Sequence, residues 1–250
     1  MKIIKYKKEA NNLYKVYLDN DTILKIYEET ILKYNLLLKK DLDDITIQNV
    51  LEENKKWDCY YSALKILKRV AKSKYEIHKY LKDKDYPDDL ITNTINLLEQ
   101  QSYLNDKRYA ESYVNMQILT TNKGPKKIEE ELLKKKIAKI DYEDALSMYK
   151  SDIEEEKIKK IITKKIKANH TKSANSLKQK IRITLIMEGF NQSLVTSLLN
   201  STTISEDETL KEKEYQKYYR KLSRKYQGKE LEYKLKQKMY SLGFNINNDD

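Results

Sequence analysis

The chain has 250 residues, 36% charged and 39% hydrophobic, with 4 Gly, 2 Pro, one Cys and a formal net charge of +11. So few breakers among so many Lys, Glu, Leu and Ile point to a mostly helical protein. One Cys excludes an internal disulfide. The lack of an apolar run of about 18 residues, or of a hydrophobic leader, argues against a membrane span or signal peptide. The expected setting is a reducing one, the cytoplasm.

Ile3 to Tyr6 and Leu13 to Leu18 are short segments rich in Ile, Tyr and Val, separated by the turn-like Glu9-Ala10-Asn11-Asn12. Asp19-Asn20-Asp21 signals a second turn before Thr22 to Tyr27. Residues 2–27 are therefore expected to form a β-meander. A short helix over 28–35 follows, then a polar link from Lys39 to Asp44. Thr46 reads as the N-cap of a helix running from about residue 47 towards Lys56.

From Trp57 onwards a helical pattern comes round four times. Its mark is an apolar pair spaced i, i+4: Ile77/Leu81, Ile128/Leu132, Ile181/Leu185 and Leu235/Met239. Both members of such a pair lie on one helix face. Five residues after the second member come Tyr86, Ile137, Phe190 and Phe244, preceded by Asp85, Lys136, Gly189 and Gly243. Successive second members lie 51, 53 and 54 residues apart, a period that holds two or three helices.

In the first repeat, Ala63, Leu64 and Leu67 mark one helix. Ser73 caps a second, and Pro87 with Asp88 and Asp89 opens a third. The second repeat opens at Asn105-Asp106, breaks at Gly124-Pro125, and has Asp141 as the expected cap of its third helix. The third carries Ile158 and Ile162, then Leu177, Ile181 and Leu185, then Leu194, Val195 and Leu198. After a polar link from Ser201 to Asp207, the fourth carries Leu210, Tyr215, Tyr218 and Leu222, then Leu231 and Leu235. It is expected to be truncated, with a frayed end over Asn247 to Asp250.

The expected fold class is mostly α, with tandem three-helix repeats in an elongated curved array behind a small N-terminal β-meander and helix domain. The expected boundaries are 1–56 for that domain, then 57–103, 104–152, 153–203 and 204–250 for the four repeats. An array of this kind suits an extended surface that grips something long.

Charge is laid unevenly over the pattern. Residues 1–56 hold 11 Lys and 10 acids, whereas 157–187 hold ten Lys or Arg and no acid. Residues 211–238 hold eleven Lys or Arg against four Glu. Such a field attracts a polyanion, either nucleic acid or an acidic protein surface. It equally fits a solvated helix face in a chain where Lys outnumbers Arg 45 to 5. Tyr215, Tyr218, Tyr219 and Tyr226 stand among the C-terminal charges and read as helix-packing residues rather than a base-stacking platform.

Nothing in the chain spells out chemistry. His78 and His170 have no clustered partners, so no metal site is expected. Four Gly supply no phosphate loop. Cys59 reads as a small core residue. Pairs such as Asp88/Asp89 and Glu129/Glu130 read as first-turn helix charges. No enzymatic activity and no cofactor are expected.

Several strings are specific enough to carry a resemblance. They are Ala63-Leu64-Lys65-Ile66-Leu67, Ser73 with Glu76, then Leu81, Tyr86, Ile95 and Leu98, and Ser102-Tyr103-Leu104-Asn105-Asp106 with Tyr109-Ala110. They continue through Gly124-Pro125, Ile128, Glu131-Leu132 and Ile137. Together they resemble the bacterial regulatory protein RecX family, closely over about 57–147 and more loosely over 157–247. The N-terminal meander is similar to that of longer, Gram-positive members. Three departures stand out: Ser102 replaces a usual Gly, Lys136 replaces the Gly of a Lys-Gly-Ile turn, and Lys123 stands where an Arg-type residue is common. Both lost Gly positions are ones where Gly would relieve a positive φ.

The resemblance implies a protein that binds the RecA recombinase, chiefly its filament on single-stranded DNA. Members inhibit strand exchange, ATP hydrolysis and the coprotease activity that triggers the damage (SOS) response. They are built of tandem three-helix units thought to lie in the filament groove. On that basis the contact candidates are Lys123, Lys126, Lys127, Lys134 and Lys135 in the second repeat, with Lys164, Lys165, Arg182, Arg220 and Arg224 in the third and fourth. A monomer with no membrane partner is expected. Direct DNA binding without RecA, or scaffolding of another acidic protein, is the alternative.

Overall fold

The computed structural model describes residues 1–244; the frayed end expected over Asn247 to Asp250 lies outside them. Strands β1 (Ile3–Lys8), β2 (Leu13–Leu18) and β3 (Ile23–Tyr27) form an antiparallel meander in the order β1-β2-β3. Tyr6 stands opposite Val16 and Val16 opposite Leu24, which fixes the inner face. Val16, Leu18 and Ile26 there join Ile31, Leu36, Leu42 and Val50 in one core. On the outer face Lys7, Lys15 and Lys25 stand directly across from one another. Like charges in register cost stability, offset in part by a 2.6 Å ion pair between Lys15 and Glu9.

Helix α1 (Glu28–Lys33) leads to α2 (Asp44–Leu67). The two helices expected on either side of residue 56 are one continuous helix of 24 residues. No Gly, Pro or capping signal interrupts that stretch, so nothing stops propagation once the first turn forms. Its cap is Asp43, whose side chain accepts from the Thr46 N–H at 2.6 Å. Thr46 is therefore the third helical residue and not the cap. One end of α2 buries Val50 against the sheet; the other buries Cys59, Tyr60, Ala63 and Leu64 in the first repeat. Between them Tyr27 stacks on Tyr61 at 4.7 Å. Tyr27 and Tyr86 both donate to Asp58, at 3.2 and 2.5 Å.

The first repeat is completed by α3 (Lys74–Lys82) and α4 (Asp88–Gln100). Then come α5 (Asp106–Thr120), α6 (Pro125–Lys134) and α7 (Lys139–Ser147), followed by α8 (Ser151–Lys167), α9 (Ala174–Met187) and α10 (Gln192–Ser201). Helices α11 (Glu208–Leu222) and α12 (Gly228–Ser241) end the described chain. Asp141 lies in the first turn of α7, so it is not that helix's cap. All eight residues of the recurring apolar pairs are at most 3% exposed, which is why the pattern was so regular.

The residue before each closing aromatic or Ile is a left-handed turn. Asp85, Lys136, Gly189 and Gly243 have φ of 63, 56, 83 and 85°. Tyr86, Phe190 and Phe244 donate their N–H groups five residues back, to Leu81, Leu185 and Met239, at 3.3, 3.1 and 3.0 Å. That closure ends a helix while satisfying its last carbonyls. Ser102 (60°) and Lys136 keep positive φ although neither is Gly. The turn geometry thus survives the substitution at a local cost of about 1 kcal/mol.

The chain divides into two compact units. One is Met1–Ala110 with Lys135–Asp141; the other is Glu111–Lys134 with the described chain from Tyr142 onwards.

Candidate partner-binding surface

A joint between helix ends occurs three times in the described chain. In each, the first turn of a repeat's second helix bonds to the turn closing the next second helix. In the first unit, Ser73 accepts from the Glu76 N–H at 3.2 Å and donates to the Lys135 carbonyl at 3.2 Å. The next N–H, of Lys74, donates to Asp106 at 2.9 Å. In the second unit, Ser173 donates to the Leu242 carbonyl at 2.7 Å, and Ala174 N–H donates to Glu206 at 3.0 Å. The remaining joint, also in the second unit, uses Gly124. Its N–H donates to the Glu188 backbone carbonyl at 2.7 Å and the Lys126 N–H to the Gly189 carbonyl at 3.1 Å. The intervening residue is Pro125, which has no N–H to satisfy, so no carboxylate is needed there. A Cβ on Gly124 would strike the backbone of Gly189 and Phe190.

This explains Asp106 in the motif that best carries the resemblance. Its carboxylate is buried and serves the first joint; burial pushes its pKa up. Asn105 beside it accepts from the Arg108 N–H at 2.9 Å, capping α5.

Lys135 and Lys123 are committed to internal ion pairs. Lys135 reaches Glu76 at 3.0 Å and lies 5.5 Å from the Tyr109 ring centre. Glu76 also accepts from Lys72 at 3.1 Å and from the Ser73 N–H at 3.1 Å. Burial disfavours the charge of Glu76, but these donors outweigh it and bring its pKa down to about 2. Lys123 reaches Glu131 at 2.6 Å, the Tyr113 hydroxyl donates to the same carboxylate at 2.7 Å, and Tyr149 donates to the Lys123 carbonyl at 3.0 Å. Burial acts against the charge of Glu131 too, and the two donors still lower its pKa.

The other candidates are distributed differently. Lys126, Lys134, Lys164, Lys165, Arg220 and Arg224 are all exposed. Lys127 is half-buried and 3.5 Å from Glu130. Arg182 is half-buried and its Nε is enclosed without a hydrogen-bond partner, leaving a donor whose burial costs free energy. On α8, Lys159 and Lys160 pair with Glu155 and Glu156 at 2.6 and 2.7 Å. Lys164 and Lys165 lie beyond the last acid of that helix, in its final turn, where the helix dipole also favours cations.

Sequence reasoning missed a groove between α11 and α12 lined by Tyr218, Lys221, Tyr226, Lys234 and Lys238. Tyr215 and Tyr218 pack on the Leu235, Met239 and Phe244 core, as expected; Tyr218 also lines the groove, and Tyr226 lines it without joining that core. The i, i+4 spacing of Lys234 and Lys238 on α12 was the available signal. Among the described residues no group of three His, Cys, Asp or Glu side chains is placed to hold a metal. No described helix is long and apolar enough to cross a membrane.

Fold and surface define a class: tandem three-helix units behind a small antiparallel sheet, with a cationic exterior. Residues 59–98 match the family model described as RecX, first three-helix domain, and 105–146 match RecX, second three-helix domain. Regulatory protein RecX of Streptococcus pyogenes serotype M4 is 31% identical over 249 residues, covering 98% of this chain and 95% of its own. Regulatory protein RecX of Bacillus cytotoxicus is 27% identical over 251 residues, covering 97% and 93%. A crystal structure of regulatory protein RecX superposes with a TM-score of 0.66 at 27% identity, covering 81% of this chain and all of the other. The crystal structure of RecX from Lactobacillus salivarius gives 0.50 at 30% identity, over 58% and 94%. The chain belongs to the RecX family of regulatory proteins.

Proposed function

We propose that this protein binds the RecA recombinase on single-stranded DNA and restrains its recombinase, ATPase and coprotease activities in DNA repair and the SOS response, in the cytoplasm. The observation that carries this reading is likeness to regulatory RecX proteins over 98% of the chain. The cationic exterior supports it, because a filament of protein and DNA presents a polyanion along its length. In this reading the contacts are made by the exposed Lys126, Lys134, Lys164, Lys165, Arg220 and Arg224. Arg182 contributes from its half-buried position. Lys123 and Lys135 maintain the shape that presents the others.

The test is RecA ATPase on single-stranded DNA, titrated with this protein. Inhibition is expected. The double variant K164E/K165E should raise the half-inhibitory concentration roughly tenfold, and added salt should weaken inhibition steeply. Its helical circular dichroism should match the wild type. Unchanged inhibition by the variant would discard these two contacts; no effect of the wild-type protein on RecA would discard the function.

A further inference from the structure

The groove between α11 and α12 has no carboxylate in its lining, whereas the basic concavity along α8 includes Glu156 among its lysines. No Asp or Glu occurs between Glu214 and Glu230. Earlier on the same helix, Lys211 and Lys217 are each neutralised by a Glu, at 3.4 and 2.9 Å. Lys221, Lys234 and Lys238 have no ion pair among the described residues. Three ammonium groups around one concavity repel one another, and an anion seated there relieves the repulsion.

The aromatic rings in the groove are not equivalent. Tyr218 is half-buried and already has Lys238 at 5.0 Å and Lys217 at 5.2 Å from its ring centre. Tyr226, in the turn between the helices, has neither a ring nor a cation partner among the described residues. Lys234 lies 5.8 Å from the Tyr233 ring centre, a weak contact that leaves its charge without a counter-ion. A ring flanked by lysines that lack an ion pair suits a chain that alternates phosphates with exposed base faces. In a duplex those faces are hidden in the stack. In a single strand they are free to lie on an aromatic ring.

We infer that the α11/α12 groove binds single-stranded nucleic acid directly, with Lys221, Lys234 and Lys238 on the phosphates and Tyr226 under a base. The inference stands apart from the RecA reading, since the site is complete within the fourth repeat.

The test uses the full chain without RecA and measures fluorescence anisotropy of a labelled deoxythymidine oligonucleotide, with a duplex of equal length as competitor. Single strand is expected to bind in preference to duplex. The triple variant K221E/K234E/K238E should bind at least roughly tenfold more weakly, and its salt slope should fall by about 2, near 0.7 for each phosphate contact removed. Tyr226→Ala should cost roughly tenfold in affinity and Tyr226→Phe almost nothing.

Wild-type affinity in a triple variant with unchanged circular dichroism overturns the proposal. So does a preference for duplex combined with indifference to Tyr226→Ala. If the triple variant keeps oligonucleotide binding but loses RecA, the groove holds an acidic protein surface and the proposal is again overturned. RecA ATPase inhibition by the wild type, measured separately, tests the functional reading without involving this site.

Discussion

The Ser173 joint and the Gly124 joint lie in the same unit and perform the same task with different chemistry. At Ser173 a hydroxyl bridges the two turns and a carboxylate, Glu206, takes the next N–H. At Gly124 the backbones meet directly and Pro125 removes the N–H that would have needed an acceptor. One joint is assembled from side chains at hydrogen-bond distance. The other depends on the absence of side chains. The comparison teaches that a repeated interface conserves a geometry rather than a residue, and that its two versions should fail in different ways.

The largest expected difference is steric. Gly124→Ala drives a methyl into the backbone of Gly189 and Phe190, where nothing flexible can yield, and should cost about 3 kcal/mol. Ser173→Ala removes only the bridging and capping hydroxyl and should cost about 1 kcal/mol. Urea midpoints of the two variants compare the joints; equal losses would mean that both are held in the same manner.

The Ser73 joint adds a carboxylate that neither other joint has in that position. Glu76 is the capping-box partner of Ser73, where the Ser173 joint has Ser176 and the Gly124 joint has Lys127. Its folded pKa is depressed from an ordinary 4.5 to about 2. The stability it contributes is therefore complete above the unfolded value and is lost as pH falls from about 4.5 through about 2. The depression corresponds to at most roughly 3 kcal/mol. The stability gap between wild type and Glu76→Gln should narrow over that window in urea titrations at stepped pH. A gap that stays constant would remove Glu76 from the account. Asp106 works the other way, since its raised pKa favours the protonated form, so the titration is best repeated in Asp106→Asn.

The smallest effect compares the closing turns. Gly189 and Gly243 occupy the position that Lys136 fills at φ 56°. Lys136→Gly should relieve the left-handed backbone and stabilise by about 0.5–1 kcal/mol, less what the freer unfolded chain takes back. A thermal melt shifted downward would show that the lysine side chain contributes more than its backbone costs.

These particulars also mark how far the chain could be read unaided. The meander and the four apolar pairs follow from local spacing, because burial on one face imposes the period directly. The capping box at Ser73 and the helix start at Pro125 are local as well. The joints are not: Ser73 meets a carbonyl 62 residues away and Ser173 one 69 away, and no periodicity links such positions. Asp106 looked like the opening of a helix, and its second role emerged only with the fold. Among the contact candidates, charge alone gave no way to separate Lys135, held by Glu76, from Lys134, which is exposed next to it. The missed groove has the same cause, since its lysines come from two helices and only packing brings them to one concavity.

The unbroken α2 carries one more consequence. It is the shaft on which both the sheet and the first repeat are mounted, about 36 Å long at 1.5 Å per residue. A shaft fixes angular phase. Each residue inserted in its middle would turn the sheet by about 100° relative to the first repeat while moving it only about 1.5 Å. Length changes in α2 are therefore rotations far more than extensions, and the lysine row on the outer sheet face would point to a different side after each one.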